Sequence, residues 1–124
     1  MKNKIDKFED IFAWQKGQEL SKNIYQLFGR IRDYSFRDQI CRASVSISNN
    51  IAEGFERKSK KEFLMFLYIA KGSCGELRSM LYLAVDLSYI DDKNFNLLYN
   101  QATEVSKIIS GFIKYLQNSS FETF

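Results

Sequence analysis

The residue types that most often carry catalysis are scarce in this chain. It has 124 residues and no histidine. Without imidazole there is no Ser–His or Cys–His nucleophile pair, and the commonest general base and metal ligand are missing. The Glu-x-x-His motif of di-iron bundles cannot be written. Two distant cysteines, Cys41 and Cys74, cannot supply a Cys-rich zinc site. No Gly-rich phosphate loop is present. Gly72-Ser73-Cys74-Gly75-Glu76 has the look of a nucleophile motif. Cys74, however, falls on the apolar series of a helical segment, where a thiol is buried and inert. The expectation is a protein with no catalytic site, no metal and no cofactor.

Three polar residues need partners rather than substrates. Glu53 lies one helical turn before Arg57. Glu76 stands on an apolar stripe between Ser73 and Met80, where a carboxylate requires compensation; Arg42, Arg78 or Asn50 could give it. Ion pairing is the expected reading of both, and a paired-carboxylate hydrolase is the alternative. Asn50 falls on a core series, where an amide can set register or oligomeric state. Gly72 and Gly75 sit inside the same helical period as Cys74 and cost a helix about 1 kcal/mol each relative to alanine. The pair suggests that another backbone approaches there.

The basic residues form the other constellation. Arg30, Arg32, Arg37, Arg42, Arg57, Lys58, Lys60 and Lys61 bracket and decorate one helical segment. Residues 1–61 hold 13 Lys/Arg against 8 Asp/Glu, a net of +5, and residues 62–124 hold 5 against 7, a net of −2. Arg57-Lys58-Ser59-Lys60-Lys61 is the densest run and falls between two helices. Arg37, Arg42, Arg57, Lys58, Lys60 and Lys61 are the candidate phosphate contacts, of which Arg42 could instead pair with Glu53 or Glu76. The competing reading is a solvated loop. Copies of one modest patch repeated around an assembly would sum to a strong field.

Four helical periods must position these groups. Apolar residues recur at three- and four-residue steps: Ala13, Gly17, Leu20, Ile24, Leu27, Ile31 in the first segment and Phe36, Ile40, Ala43, Ile47, Asn50, Gly54 in the second. Phe63, Leu67, Ala70, Cys74, Leu77, Leu81, Ala84 mark the third, and Phe95, Leu98, Ala102, Val105, Ile109, Phe112, Leu116 the fourth. The chain has no proline, which permits long helices. The spacing predicts helices over about 10–29, 35–57, 60–88 and 92–118. A left-handed Gly29 ends the first and Ser35 caps the second. Ser59–Glu62 forms a capping box for the third, and Asp91 or Asp92 caps the fourth. Met1–Lys7 and Ser119–Phe124 are expected to fray. Short connections make an antiparallel, up-down-up-down four-helix bundle in one all-α domain spanning residues 1–124.

The middle two helices carry more apolar surface than one bundle needs. Cys41, Val45, Ser48, Ala52 and Phe55 form a second stripe on one. Phe66, Ile69, Ser73, Met80, Leu83 and Leu87 form a second stripe on the other, with Tyr68, Tyr82 and Tyr89 beside it. Contiguous apolar patches of this kind mark interaction sites, so self-association is expected; a wide core is the alternative. No apolar run reaches the ~20 residues that span a bilayer, and the N-terminus lacks a signal-peptide pattern. A cytoplasmic protein without membrane contact is expected.

The segment from Gln39 to Gly54 reads QICRASVSISNNIAEG. It resembles the four-helix-bundle proteins encoded in intervening sequences of bacterial 23S ribosomal RNA genes, whose pattern is close to Q-I-x-R-A-x-x-S-I-x-x-N-I-A-E-G. The match takes in Gln39, Ile40, Arg42, Ala43, Ser46, Ile47, Asn50, Ile51, Ala52, Glu53 and Gly54. Phe63-Leu64, Phe66-Leu67, Ile69-Ala70, Gly72-Ser73, Glu76-Leu77 and Trp14 also fit. The resemblance implies a homopentameric ring of antiparallel bundles. Through relatives, the accessory variability proteins of diversity-generating retroelements, it implies contact with RNA or DNA and with a reverse transcriptase or other protein. Two functional readings follow. One is a non-enzymatic, homo-oligomeric nucleic-acid-binding accessory protein. The other is a protein-interaction scaffold without nucleic-acid contact. An enzyme is the remaining class.

Overall fold

Three of the four helices begin where a side-chain oxygen takes an orphan backbone amide. In the computed structural model, which describes residues 5–119, Asp33 accepts from the Phe36 N–H at 3.1 Å and starts α2 (Tyr34–Glu56). Ser59 accepts from the Glu62 N–H at 3.3 Å and starts α3 (Lys60–Asp86). Asp91 accepts from the Asn94 N–H at 2.8 Å and starts α4 (Asp92–Gln117). The remaining helix, α1 (Phe12–Phe28), follows a short 3-10 turn at Phe8–Asp10 and has no side-chain cap. Ser35, expected to cap α2, lies inside its first turn; Asp33 takes the role because its carboxylate is also held by the Tyr89 hydroxyl at 2.8 Å. At α3 only the serine half of the capping box forms as expected, since the Glu62 carboxylate is engaged by Arg57 at 3.1 Å.

Two helix ends use left-handed residues that are not glycine. Past α3, Ser88 has φ 61. Its N–H bonds the Val85 carbonyl at 3.1 Å, while the Tyr89 N–H bonds the Ala84 carbonyl at 2.8 Å. This pair of bonds is the Schellman arrangement. Lys58 turns the chain after α2 with φ 58. Gly29, expected in that conformation, is right-handed at φ −64. It is needed for a different reason: a Cβ there would lie 2.5 Å from the Tyr25 carbonyl oxygen.

Contacts between helices run in opposite senses along each pair. Gly17 lies against Ser48 and Phe28 against Phe36, so α1 and α2 are antiparallel. Gly54 meets Phe63 and Phe66 while Ser46 meets Ser73, which gives the same sense for α2 and α3. Phe63 meets Phe112 and Tyr82 meets Phe95 across α3 and α4. The ring closes between α1 and α4, where Asn23 donates to Gln101 at 2.9 Å. The result is an all-α four-helix bundle.

Leu20, Ile24, Ile40, Ile47, Ile51, Phe63, Leu67, Leu77, Leu81, Leu98 and Ile109 are fully buried along its axis. Each large side chain removed from water contributes about 1.5–3 kcal/mol.

The second stripe of α2 is not surplus. Cys41, Ser48 and Phe55 are buried and Val45 and Ala52 half-buried, because α2 is flanked by both α1 and α3. On α3, Phe66, Ser73 and Met80 also turn inward, whereas Ile69, Leu83 and Leu87 stay exposed. Ile5, expected to fray with the N-terminal segment, packs against the core. Lys7 is exposed. Ser119 is half-buried, its carbonyl held by Lys60 at 2.8 Å. The rest of the two expected frayed ends, Met1–Lys4 and 120–124, lies outside the described residues.

Candidate functional site

At the seam between α2 and α3, Asn50 and Ser46 of the QICRASVSISNNIAEG segment join Ser73 in one chain of hydrogen bonds. Asn50 Nδ2 donates to the Ser46 carbonyl at 2.7 Å and to Ser46 Oγ at 2.8 Å. Ser46 Oγ and Ser73 Oγ are 2.9 Å apart, and Ser73 Oγ donates to the Ile69 carbonyl at 3.2 Å. A hydroxyl has one proton. Ser73 spends its proton on Ile69, so Ser46 must be the donor in the pair. The polarity then runs one way from Asn50 to Ile69 and ties the two helices together. Asn50, expected as a buried amide facing other helices, is half-buried and bonds within its own helix.

Gly54 makes the close approach at the lower end of this seam. A Cβ there would stand 2.6 Å from Phe66 Cβ and 2.9 Å from Phe63 Cδ1. The glycines expected to play that part do not. Nothing lies within 4 Å of a Cβ built on Gly72, and Gly75 would meet only an Arg78 guanidinium nitrogen at 3.9 Å. Gly72 is on the exposed side of α3, where no helix of the bundle can reach it.

Above the polar chain the seam widens into a groove of about 490 Å³, lined by Ser35, Asp38, Gln39, Arg42, Ala43, Ser46 and Glu76. The Ser46–Ser73 register places Arg42 opposite Glu76. The expected ion pair is nevertheless absent: among the described residues neither Arg42 nor Glu76 has a charged partner within 4.0 Å, and both are exposed. Glu76 escapes the apolar environment expected for it by pointing outward, so it has no need of compensation. Glu53 does pair with Arg57, at 2.8 Å.

The six candidate phosphate contacts do not form one patch. Arg37 and Arg42 stand near the start of α2, and Arg57, Lys58, Lys60 and Lys61 at its far end. Between Arg42 and Arg57 the helix rises about 22 Å. Most are already engaged. Arg37 is paired with Asp38 at 2.9 Å and lies 4.7 Å over the Tyr34 ring. Arg57 is held by Glu53 and Glu62 and lies 4.9 Å over Phe66. Hydrogen bonds to Glu53, then to Glu62, raise its pKa further. Lys58 lies 4.4 Å over Phe55, and Lys60 donates to Ser119. Lys61 and Arg42 remain without a described partner.

The thiols are withdrawn from solvent. Cys41 and Cys74 are buried and unbonded to each other. Burial pushes the Cys74 thiol up to about 12, and it raises Cys41 as well. No group of three or more potential metal-binding Cys, Asp or Glu side chains occurs among the described residues. No helix among them is long and apolar enough to cross a membrane.

The outward face of α3 carries a run of apolar side chains that the bundle does not cover. Met65, Ile69, Leu83 and Leu87 are each 46–52% exposed and share this face with Gly72 and Glu76. The helical period alone brings them together. Sequence reading caught Ile69, Leu83 and Leu87 as a second stripe but missed Met65, which continues it by one turn.

Among curated proteins none matches the chain. A crystal structure of a protein of unknown function from the S23 ribosomal protein family of Bacteroides thetaiotaomicron superposes with a TM-score of 0.77 at 26% identity, covering 82% of this chain and 98% of that one. Residues 9–111 match the family described as 23S rRNA-intervening sequence protein. The bundle, the Gln39–Gly54 segment that ties α2 to α3 and this match agree: the chain belongs to the 23S rRNA-intervening sequence protein family.

Proposed function

We propose that this protein is a non-enzymatic subunit of a homo-oligomer, which a second copy joins by covering the outward face of α3. One observation carries the reading: the run of half-exposed Met65, Ile69, Leu83 and Leu87 around an open Gly72. These side chains are already half-covered, so completing their burial gains about half of the 1.5–3 kcal/mol of a fully exposed one, and Gly72 lets another backbone come close. The occupant is a second copy because the same side of the molecule bears one unpaired cation, Arg42, and one unpaired anion, Glu76, which makes it complementary to itself. A self-complementary face closes a two-fold pair, so the ring of five implied by the family resemblance requires in addition a head-to-tail contact with a different surface of the next copy. The assembly works in the cytoplasm as an accessory to RNA, its modest basic patches multiplied by symmetry.

Sedimentation of the wild type and of Ile69→Glu/Leu83→Glu at micromolar concentration tests the first part. The wild type sediments as a multiple of 14.6 kDa and the variant as a folded monomer; a monomeric wild type refutes the reading. Binding to structured RNA across a salt series tests the second, with Lys61→Glu as the main variant and Lys60→Glu as a control, since Lys60 also holds Ser119. The second reading, a scaffold without nucleic-acid contact, is favoured by the engagement of Arg37, Arg57, Lys58 and Lys60 within the fold. Absence of salt-dependent binding would establish it over the first.

A further inference from the structure

The half of the sequence with net negative charge sorts its charges by face. Residues 62–124 contain five basic side chains: Lys71, Arg78, Lys93, Lys107 and Lys114. On α3, positions 68, 71, 75, 78 and 82 follow the three- and four-residue steps of one flank. On α4, positions 99, 103, 107, 110, 114 and 117 do the same. The two flanks face each other across one groove: Tyr82 meets Tyr99 at 5.4 Å at one end, and Gln117 donates to the Tyr68 hydroxyl at 3.3 Å at the other. Lys71 and Arg78 stand on the α3 side, while Lys107 and Lys114 lie farther round α4, at the outer rim towards solvent; no Asp or Glu occupies the positions named, and Glu104 lies one turn before Lys107.

None of these four cations has a carboxylate within 4.0 Å among the described residues. Arg78 is half-buried and its Nε has no hydrogen-bond partner. The register places Thr103 across from it, and Thr103 Oγ1 is likewise buried and unpartnered. A desolvated polar atom without a partner costs about 1–3 kcal/mol. Both atoms are sealed from solvent, so a ligand reaches only the part of the Arg78 side chain that its half-burial leaves open. Next to it stands an aromatic cluster. Phe95 and Tyr99 stack at 5.4 Å with 25° between planes, and Tyr82 packs on both at 5.1 and 5.4 Å. Tyr82 is 53% exposed, although its hydroxyl is hydrogen-bonded with Tyr99.

We infer that the groove between α3 and α4 is a track for a single-stranded nucleic acid, with Lys71, Arg78, Lys107 and Lys114 on its phosphates and Tyr82 as the platform for an unpaired base. Cations spaced along a groove neutralise a polyanion, and an exposed ring adds sequence-tolerant stacking. From Tyr68 to Tyr82 the track is about 21 Å long. A carboxylate partner would account for the cations but not for the half-exposed Tyr82. The inference rests on the nucleic-acid half of the proposed function and moves the contact from the α2–α3 turn to this groove.

The test is fluorescence anisotropy of a labelled single-stranded RNA of about a dozen nucleotides with the whole protein across a salt series. A DNA strand and an RNA duplex of the same sequence serve as comparisons. Lys71→Glu/Lys107→Glu is expected to weaken binding more than about tenfold and to flatten the salt slope by about 0.7 per lost contact. Tyr82→Ala is expected to weaken it about 5- to 100-fold with the slope unchanged, and Tyr82→Phe, which keeps the ring, to bind as wild type. Both single strands bind more tightly than the duplex. Sedimentation and thermal melting of each variant keep loss of assembly or fold apart from loss of contact. If the wild type fails to bind, both the nucleic-acid reading and the inference fall. If it binds but Lys61→Glu abolishes binding while Lys71→Glu/Lys107→Glu does not weaken it, the inference alone falls. Tighter binding of the duplex also overturns it.

Discussion

The turn between α2 and α3 and the groove between α3 and α4 both hold several cations, and they differ in whether those cations are free. At the turn, Arg57 is clasped by two carboxylates, Lys58 lies on Phe55 and Lys60 holds Ser119. Along the groove and its rim, Lys71, Arg78, Lys107 and Lys114 have no described charged partner. The denser run in sequence is thus the more occupied one in space. A charge is available to a ligand only when the fold has not already used it, and that depends on neighbours across helices. The same contrast holds for the two glycine environments of α2 and α3: Gly54 is pressed against Phe66, and Gly72 faces open space.

The contrast can be broken most directly at Gly54. Gly54→Ala puts a methyl 2.6 Å from Phe66 Cβ, which cannot move without moving α3. Overpacking of this kind costs typically 1–3 kcal/mol, and we expect the upper part of that range in denaturant unfolding. Gly72→Ala should go the other way. It meets nothing and gains up to about 1 kcal/mol of helix propensity, so a rise in the folding midpoint is expected in the dissociated protein; a loss would show that the site is closed. Ser88→Gly relieves a left-handed serine at the end of α3 and should add about 0.5–1 kcal/mol, read by the same measurement.

The smallest effect is a pH dependence at the link between α2 and the segment after α3. A hydrogen bond from Tyr89, then one from the Phe36 amide, holds the Asp33 carboxyl below its usual 3.8. Its stabilisation is therefore present above pH 3.8 and is lost as pH falls through the lower folded value. Bonding to Asp33 holds the Tyr89 phenol above its usual 10.0, so its contribution is present below pH 10 and is lost as pH rises through the folded value. Tyr89→Phe should abolish the alkaline dependence and weaken the acid one, leaving the part due to the Phe36 amide. Thermal melts across pH would show no difference between the two proteins if the link contributes nothing.

Much of the architecture was legible because it rests on local chemistry. The four periods, the Ser59 cap, a cap at Asp91 or Asp92 (Asp91 takes it) and the buried Cys74 follow from spacing and side-chain type. Observed helix ends lie within two residues of those expected from the sequence. Asp33 was passed over for Ser35 because its advantage comes from Tyr89, which is 56 residues away. The second stripe of α2 looked surplus because the sequence does not show that α2 has a helix on each side. For Glu76 the sequence offers Arg42, Arg78 or Asn50 as partners; register does bring Arg42 level with it, but both side chains are exposed. The cations of the α3–α4 groove were hidden by averaging: a half-chain net of −2 conceals a flank with no acid in it.

The central claim is that this bundle is a protomer, held to its copies by the outward face of α3. Sedimentation equilibrium of the wild-type protein at micromolar concentration tests it most directly. The account predicts one species at a whole multiple of 14.6 kDa, with Ile69→Glu/Leu83→Glu reduced to the single chain and still helical. A wild type that sediments as a single chain would contradict it, as would an assembly unchanged by the two glutamates.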